Sequence, residues 1–161
     1  MRVKDVMTVD TTCCAPGSSL ADTAGLMWER DCGVIPVIDE EQKIIGMITD
    51  RDICMAAAMT GRGLSQLSVH EVISGGVCGC KSEDDIHQAL VTMRENQLRR
   101  LPVLDDEGKL QGILSLNDVV LKADQLQDKR AASLAVDVLE TLRAISRHRE
   151  TEQQTRAAGA S

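Results

Sequence analysis

The sequence predicts an α+β protein made of two tandem β-α-β-β-α units followed by one long C-terminal helix. A constant offset of 66 residues, as from Gly46 to Gly112, relates the two halves without insertion or deletion. In the best-matched segments, 46–53 and 112–119, a glycine and an apolar run precede a hydroxyl residue and then an aspartate. Such a long self-match indicates a tandem duplication. Because a unit of about 60 residues cannot cover both faces of its sheet, the units should pack sheet to sheet with pseudo-two-fold symmetry.

Periodicity and turn residues predict the elements of the first copy. In order, they are a turn or short helix at 1–8, a strand at 11–15, a helix at 20–30, strands at 34–38 and 43–49, and a helix at 50–59. Ser18 or Ser19 can cap the helix at 20–30. Its apolar face is predicted to consist of Leu20, Ala24, Met27 and Trp28.

The second copy repeats this order. Its predicted elements are a turn or helix at 69–73, a strand at 77–81, a helix at 83–97, strands at 100–104 and 110–114, and a helix at 116–126. The predicted division of the chain is repeat one at 1–65, repeat two at 66–127, the C-terminal helix at 128–150 and a disordered tail at 151–161.

The C-terminal helix lies outside the repeat and carries a regular apolar seam. The seam steps by four and three residues through Ala131, Ala135, Val138, Leu142 and Ile145. Two heptads are too few to establish a coiled coil. The helix is therefore expected either to dock on its own module or to form a dimer contact.

The amino-acid composition of the chain argues against several classes of binding partner. The net charge of −7 argues against binding to nucleic acid or to an anionic membrane surface, which requires clustered basic residues. Trp28 is the only aromatic residue, so no stacking platform for single strands exists. The sequence shows no apolar run long enough for a membrane span and no signal-peptide core. We expect a cytoplasmic protein whose six cysteines are reduced.

Two matching motifs are the candidate site. Thr49 with Asp52, and Ser115 with Asp118, stand where a strand is expected to pass into a helix. The free N–H groups and the dipole of a helix start favour an anion such as phosphate, and an aspartate can accept hydrogen bonds from ribose hydroxyls. The same pattern is also a helix capping box. Spacing leaves both interpretations open.

The duplication, with a Pro-Val strand before each hairpin and Gly-x-hydrophobic-x-Thr/Ser-x-x-Asp after it, resembles a CBS-domain pair, or Bateman module, over residues 1 to about 127. The resemblance implies a regulatory module, not an enzyme. Such modules bind AMP, ADP, ATP, NAD or S-adenosylmethionine in two clefts between the repeats and commonly form disc-shaped homodimers. It also implies that the hydroxyl and aspartate of each motif contact phosphate and ribose.

By the same resemblance, each pocket draws on a set of strand and loop residues. The pocket facing Asp118 is predicted to use Thr8, Val9, Thr11, Val34 and Ile35. The pocket facing Asp52 is predicted to use Ser74, Val77, Cys78, Arg100 and Leu101. Arg100 matches a basic residue that family members often carry before this strand, where it can reach phosphate. Arg51, at a helix start, is a second phosphate candidate, although both arginines can equally be solvated surface residues.

The cysteines allow a different hypothesis. Cys14 and Cys80 are related by the 66-residue offset, with Cys13 and Cys78 close by, and four thiolates can bind zinc. Their spacing lacks the usual two to four residues between paired ligands, so small buried hydrophobes are favoured, with Cys32 and Cys54 as core or semi-buried thiols. No metal ligand set and no catalytic constellation is predicted.

The sequence therefore favours a stand-alone sensor of an adenosyl ligand that acts on an unidentified effector protein or on its own oligomer. A structural or interaction module with vestigial clefts is the alternative from another class. An enzyme is the third hypothesis, and a thiol-based metal or redox sensor is the fourth.

Overall fold

The structure, a computed structural model, describes residues 1–73, 75–124 and 129–147. Its α-helices are α1 (Leu20–Glu29), α2 (Asp50–Thr60), α3 (Ile86–Asn96), α4 (Leu116–Asp124) and α5 (Lys129–Ile145). Its strands are β1 (Val34–Ile38), β2 (Ile44–Thr49), β3 (Arg100–Leu104) and β4 (Leu110–Ser115). Single 3-10 turns cover Val3–Asp5, Leu64–Gln66 and Val69–Glu71. This α+β architecture confirms the predicted fold class. The predicted tail and the end of the predicted C-terminal helix lie outside the described residues.

Each repeat contains one antiparallel hairpin, β1 with β2 and β3 with β4. Both hairpins carry a register shift at the same place, after Val37 and after Val103. The predicted strands at 11–15 and 77–81 are wrong as strands, because only Cys14 and Cys80 form a bridge there. The chain turns directly afterwards, which leaves room for one bridged residue in each repeat.

The segments that open the two repeats are exchanged between the repeats. Val3 is fully buried in the core of repeat two, beneath α3, and its N–H donates to the Asp84 carbonyl at 3.0 Å. Val69 is fully buried in the core of repeat one, and its N–H donates to the Ser18 carbonyl at 2.9 Å. Because each segment completes the other repeat's core, neither repeat has a full core without its neighbour.

Two glycines permit this exchange. A Cβ on Gly112 would lie 2.6 Å from the Thr8 carbonyl oxygen, and a Cβ on Gly46 would lie 2.9 Å from Ile73 Cδ1. Thr8 and Ile113 donate backbone N–H groups to each other's carbonyls at 2.9 Å, so the crossing segment lies against β4. The glycine of each motif is therefore explained by close approach of the crossing segment, the Thr8 backbone at Gly112 and the Ile73 side chain at Gly46.

Two predicted core positions are exposed. Trp28 was expected on the inner face of α1, but its side chain is 89% exposed, while Leu20, Thr23 and Met27 are buried. One step along a helix turns a side chain by about 100°, which carries Trp28 away from Met27 and out of the core. Cys54, expected as core or semi-buried, is likewise exposed on α2.

The C-terminal helix docks on its own chain, which was one of the two predicted possibilities. Leu134, Val138 and Thr141 are buried against repeat two, and Ile145 packs beside them. The predicted seam is therefore partly wrong, because Ala135 and Leu142 are exposed. The inward face runs through Leu134 and Thr141 because α5 meets both α3 and α4, so their positions set its rotation.

We expect Gly112→Ala to destabilise the fold by about 1–3 kcal/mol, because the new methyl group would overlap the Thr8 carbonyl oxygen. Gly25→Ala is the matched control. Nothing lies within 4 Å of a Cβ at Gly25, in the middle of α1, so this change should stabilise by up to about 1 kcal/mol. Urea unfolding of both variants measures the difference. Equal stability of Gly112→Ala and wild type would contradict the close approach.

Candidate functional site

Both predicted motifs lie where a strand passes directly into a helix. Thr49 ends β2 and is the N-cap of α2, and Ser115 ends β4 immediately before α4. The hydroxyl and aspartate residues of both motifs are half-buried. The helix starts are therefore at the position expected of a candidate anion site.

Within each motif the hydroxyl and carboxylate bind each other. Thr49 donates to Asp52 Oδ2 through its backbone N–H at 2.9 Å and through Oγ1 at 2.6 Å, and Asp52 N–H donates to Thr49 Oγ1 at 3.1 Å. Ser115 and Asp118 repeat this pattern at 3.0, 2.5 and 3.1 Å. The capping interpretation is thus confirmed for both motifs.

Capping uses only part of each carboxylate. Two of the three bonds in each motif go to Oδ2 of Asp52 or Asp118, and Oδ1 of each accepts none from the described residues. An ionised carboxylate can accept about four hydrogen bonds. The cap therefore holds each carboxylate in a set orientation and leaves one oxygen able to accept from a ligand.

Hairpin register places several predicted pocket residues beside the motifs. Val34 lies opposite Thr49, and Arg100 lies opposite Ser115. Ile35 and Leu101, the next residues along, are fully buried in the two cores. Any contribution of those two residues to a cleft must therefore come from the backbone.

The predicted pocket residues near the start of each repeat, at 8–11 and 74–78, differ from one another in how exposed they are. Thr8 and Val9 are exposed beside β4, and Thr11 is half-buried. Val77 and Cys78 are half-buried next to the Cys80 bridge. Ser74 lies outside the described residues. The assignment of these residues to one or the other pocket stays a prediction.

The charges around the two motifs differ. Asp50 follows the first hydroxyl, and its carboxylate lies 3.0 Å from where a Cβ on Gly33 would be. The corresponding residue in repeat two is Leu116, whose N–H donates to the Arg99 carbonyl at 2.9 Å. Arg51 is exposed, whereas Arg100 is half-buried. The first motif thus has both acidic Asp50 and basic Arg51 beside it, whereas the second has the basic residues Arg99 and Arg100. Asp50 was not among the predicted site residues, although its place beside the motif was visible in the sequence.

Cys14 and Cys80 are buried, whereas Cys13, Cys32 and Cys78 are half-buried and Cys54 is exposed. Burial raises the pKa of the Cys80 thiol to about 12, with smaller contributions from the nearby Asp84 carboxylate and from Cys78. Burial also raises the pKa of Cys13 and Cys14. These shifts disfavour the thiolate that binds metals. Across the described residues, no group of three or more His, Cys, Asp or Glu side chains is placed to hold a metal ion.

No helix within 1–73, 75–124 and 129–147 is both long enough and apolar enough to cross a membrane.

Comparison with known proteins identifies relatives over most of the chain. The CBS domain-containing protein YhcV of Bacillus subtilis is 33% identical over 136 residues, which is 84% of this chain and 94% of YhcV. The structure of CBSX2 in complex with AMP is 26% identical with a TM-score of 0.67, covering 77% of this chain and 96% of that one. CBSX2 comes from Arabidopsis thaliana.

A third relative was solved with a metal. Hypoxic Response Protein I, crystallised with two coordinated zinc ions, is 27% identical with a TM-score of 0.69. The match covers 75% of this chain and 98% of that one. The protein of that name in the sequence comparison is from Mycobacterium tuberculosis.

The sequence profile of the CBS domain matches this chain twice, at residues 3–58 and 69–123. The two matches coincide with the two repeats seen in the fold, each containing one hairpin and one capped motif. The chain therefore belongs to the CBS domain family and carries two tandem copies of the domain.

Proposed function

We propose that this protein is a cytoplasmic, non-catalytic sensor that binds an adenosine-containing ligand between its repeats. The observation that carries the proposal is the geometry of the motifs. Each half-buried aspartate is held by its cap at a helix start and retains one oxygen for a ligand. The AMP complex of CBSX2 supports this class of ligand. AMP is therefore the first probe, followed by ADP, ATP, NAD and S-adenosylmethionine.

In the proposed complex, Asp52 or Asp118 accepts from the ribose hydroxyls, and Thr49 or Ser115 contacts phosphate. The adenine has no aromatic partner, so aliphatic side chains such as Val34 would lie against it. The other proposed contacts are Thr8, Val9, Thr11, Ile35, Ser74, Val77, Cys78, Leu101, Arg51 and Arg100.

The helix that begins at the second motif indicates a route by which ligand binding can change the rest of the molecule. The second motif begins α4, and α4 packs against α5. A ligand held by Ser115 and Asp118 would therefore act on α4 directly and on α5 through its packing against α4. We propose that occupancy shifts their arrangement, which an effector protein or a second copy of the chain reads.

The alternative is an interaction module in which the motifs act only as caps. The reciprocal hydrogen bonds within both motifs favour it, because neither motif needs a ligand to satisfy its hydroxyl. The two functions differ in whether an adenosine ligand stabilises the fold.

We expect AMP at 100 times its dissociation constant to add about 2.7 kcal/mol to the free energy of unfolding, measured by thermal shift. Asp52→Ala or Asp118→Ala should abolish this gain by removing the ribose acceptor. Asp22→Ala is the matched control, because Asp22 forms the same carboxylate-to-hydroxyl bond with Ser19 at the start of α1, outside the motifs. It should lower the baseline melting temperature and keep the AMP gain. If no adenosine ligand stabilises wild type, the motifs are caps only.

We expect Arg100→Gln to weaken AMP binding about 10- to 100-fold, the loss of one charge-assisted hydrogen bond, and to leave adenosine binding unchanged. Arg99→Gln, at the exposed neighbouring position, is the control and should change neither. Isothermal titration with both ligands measures the difference. Equal losses for AMP and adenosine would show that Arg100 does not contact the phosphate.

A further inference from the structure

The two capped motifs stand beside charges of opposite sign. Around the first motif, positions 33, 34 and 50–52 carry two aspartates and one arginine, which gives a net charge of −1. Around the second motif, the counterparts 66 residues later, at 99, 100 and 116–118, carry two arginines and one aspartate, which gives a net charge of +1. The two repeats therefore share a cap and differ in the charge that surrounds it.

Strand register places Arg100 beside the second motif. It lies opposite Ser115 in the hairpin of β3 and β4, and opposite residues of an antiparallel pair project from the same face with Cβ atoms about 5 Å apart. Arg100 is half-buried, and its guanidinium forms no ion pair with any residue that the structure describes. Register thus favours Asp118 as its neighbour in a cleft, rather than Asp52 as the family resemblance implied, and leaves the guanidinium available to a phosphate.

The corresponding place in repeat one has no basic side chain on its strand. Val34 lies opposite Thr49 and is buried. Gly33 precedes it, and Asp50 Oδ2 lies 3.0 Å from where a Cβ on Gly33 would be. The carboxylate of Asp50 therefore occupies the space into which a side chain at position 33 would extend. Where the strand of repeat two begins with arginine, repeat one presents a valine and a nearby negative charge.

Asp50 also changes the electrostatics at the start of α2. Its N–H donates to the Gly33 carbonyl at 3.2 Å, and its Oδ1 accepts from the Arg51 N–H at 2.7 Å, which holds the carboxylate at the first turn. That turn contains two carboxylates, Asp50 and Asp52, whereas the first turn of α4 contains only Asp118. Carboxylates at a helix start occupy the positive field that would otherwise attract a phosphate. The start of α2 is therefore the poorer phosphate site of the two.

We propose that the two clefts bind different adenosyl ligands. The cleft of Asp118 takes one that carries a phosphate, and the cleft of Asp52 takes one without phosphate. Arg100 and Asp50 determine this specificity, the first by attracting the phosphate and the second by repelling it. AMP, with about two negative charges at neutral pH, and adenosine, with none, are the probes that distinguish the clefts. This inference rests on the proposed function, because it assigns a ligand class to each proposed cleft.

Closing one cleft at a time measures the two separately. Asp118→Ala should lose the tight AMP site, whereas Asp52→Ala should keep it, because the cleft beside Arg100 remains. Isothermal titration of the Asp52→Ala chain should give an affinity for AMP at least about 10-fold above that for adenosine, as expected of one charge-assisted hydrogen bond. The Asp118→Ala chain should bind adenosine at least as tightly as AMP. Melting temperatures without ligand check that each chain is folded.

A second variant leaves both caps intact. Asp50 is exposed, so Asp50→Asn removes its charge without disturbing the core. In the otherwise wild-type chain, this change should tighten the weaker of two AMP sites about 3- to 10-fold, because a like charge near the phosphate is gone, and should leave adenosine binding unchanged. Asp22→Asn is the matched control, since it removes the same charge from the first turn of α1, outside the motifs, and should change neither affinity.

Three other results would overturn the inference. If Asp52→Ala and Asp118→Ala leave sites with the same ratio of AMP to adenosine affinity, the clefts are equivalent, and the proposed function stands without this specificity. If the Asp118→Ala chain is the one that prefers AMP, Arg100 serves the cleft of Asp52 instead. If wild type binds neither AMP nor adenosine, the proposed function fails, and the inference fails with it.

Discussion

The exchange of opening segments between the repeats is the interaction on which the rest of the structure depends. Val3 completes the core of repeat two, and Val69 completes the core of repeat one. Each core therefore loses a fully buried aliphatic side chain if the repeats separate, which makes the pair one cooperative unit. The exchange also brings the opening segment that carries Thr8 against β4, two residues before the Ser115 motif. The candidate site is thus built from parts of both repeats.

The cap in each motif has two roles, because it stabilises the helix start and also orients the carboxylate that is proposed to bind a ligand. Bonds to Oδ2 satisfy the backbone at the helix start and fix the carboxylate, while Oδ1 accepts no hydrogen bond from a described residue. A carboxylate already held in place needs little further ordering when a ligand arrives. For this reason the capping and ligand-binding interpretations are compatible, although the spacing of the motif presents them as competitors.

Duplication explains what the repeats share, and later divergence explains how they differ. The hairpins, bulges and caps recur at corresponding positions, because each repeat solves the same packing problem. The differences are concentrated around the motifs and on the helical faces. Gly33 and Val34 of repeat one correspond to Arg99 and Arg100 of repeat two, and Trp28 corresponds to Arg94. Those positions are exposed or half-buried in at least one repeat, so substitutions there cost little stability and are free to change charge or partner.

The sequence by itself determined the duplication, the order of the α-helices and of the hairpin strands, the place of both Thr/Ser-x-x-Asp motifs and the apolar nature of the cores. These features rest on local periodicity and spacing, which neighbouring residues express directly. Only the tertiary structure decided that the segments at 11–15 and 77–81 bridge through one residue, that Trp28 and Cys54 face outward, and that α5 turns Leu134 inward and leaves Leu142 exposed. Each of these depends on which surface a segment meets from a distant part of the chain. The sequence does not distinguish an apolar residue on the buried face of a helix from an apolar residue one position away from that face. The packing of other helices determines which of the two is covered.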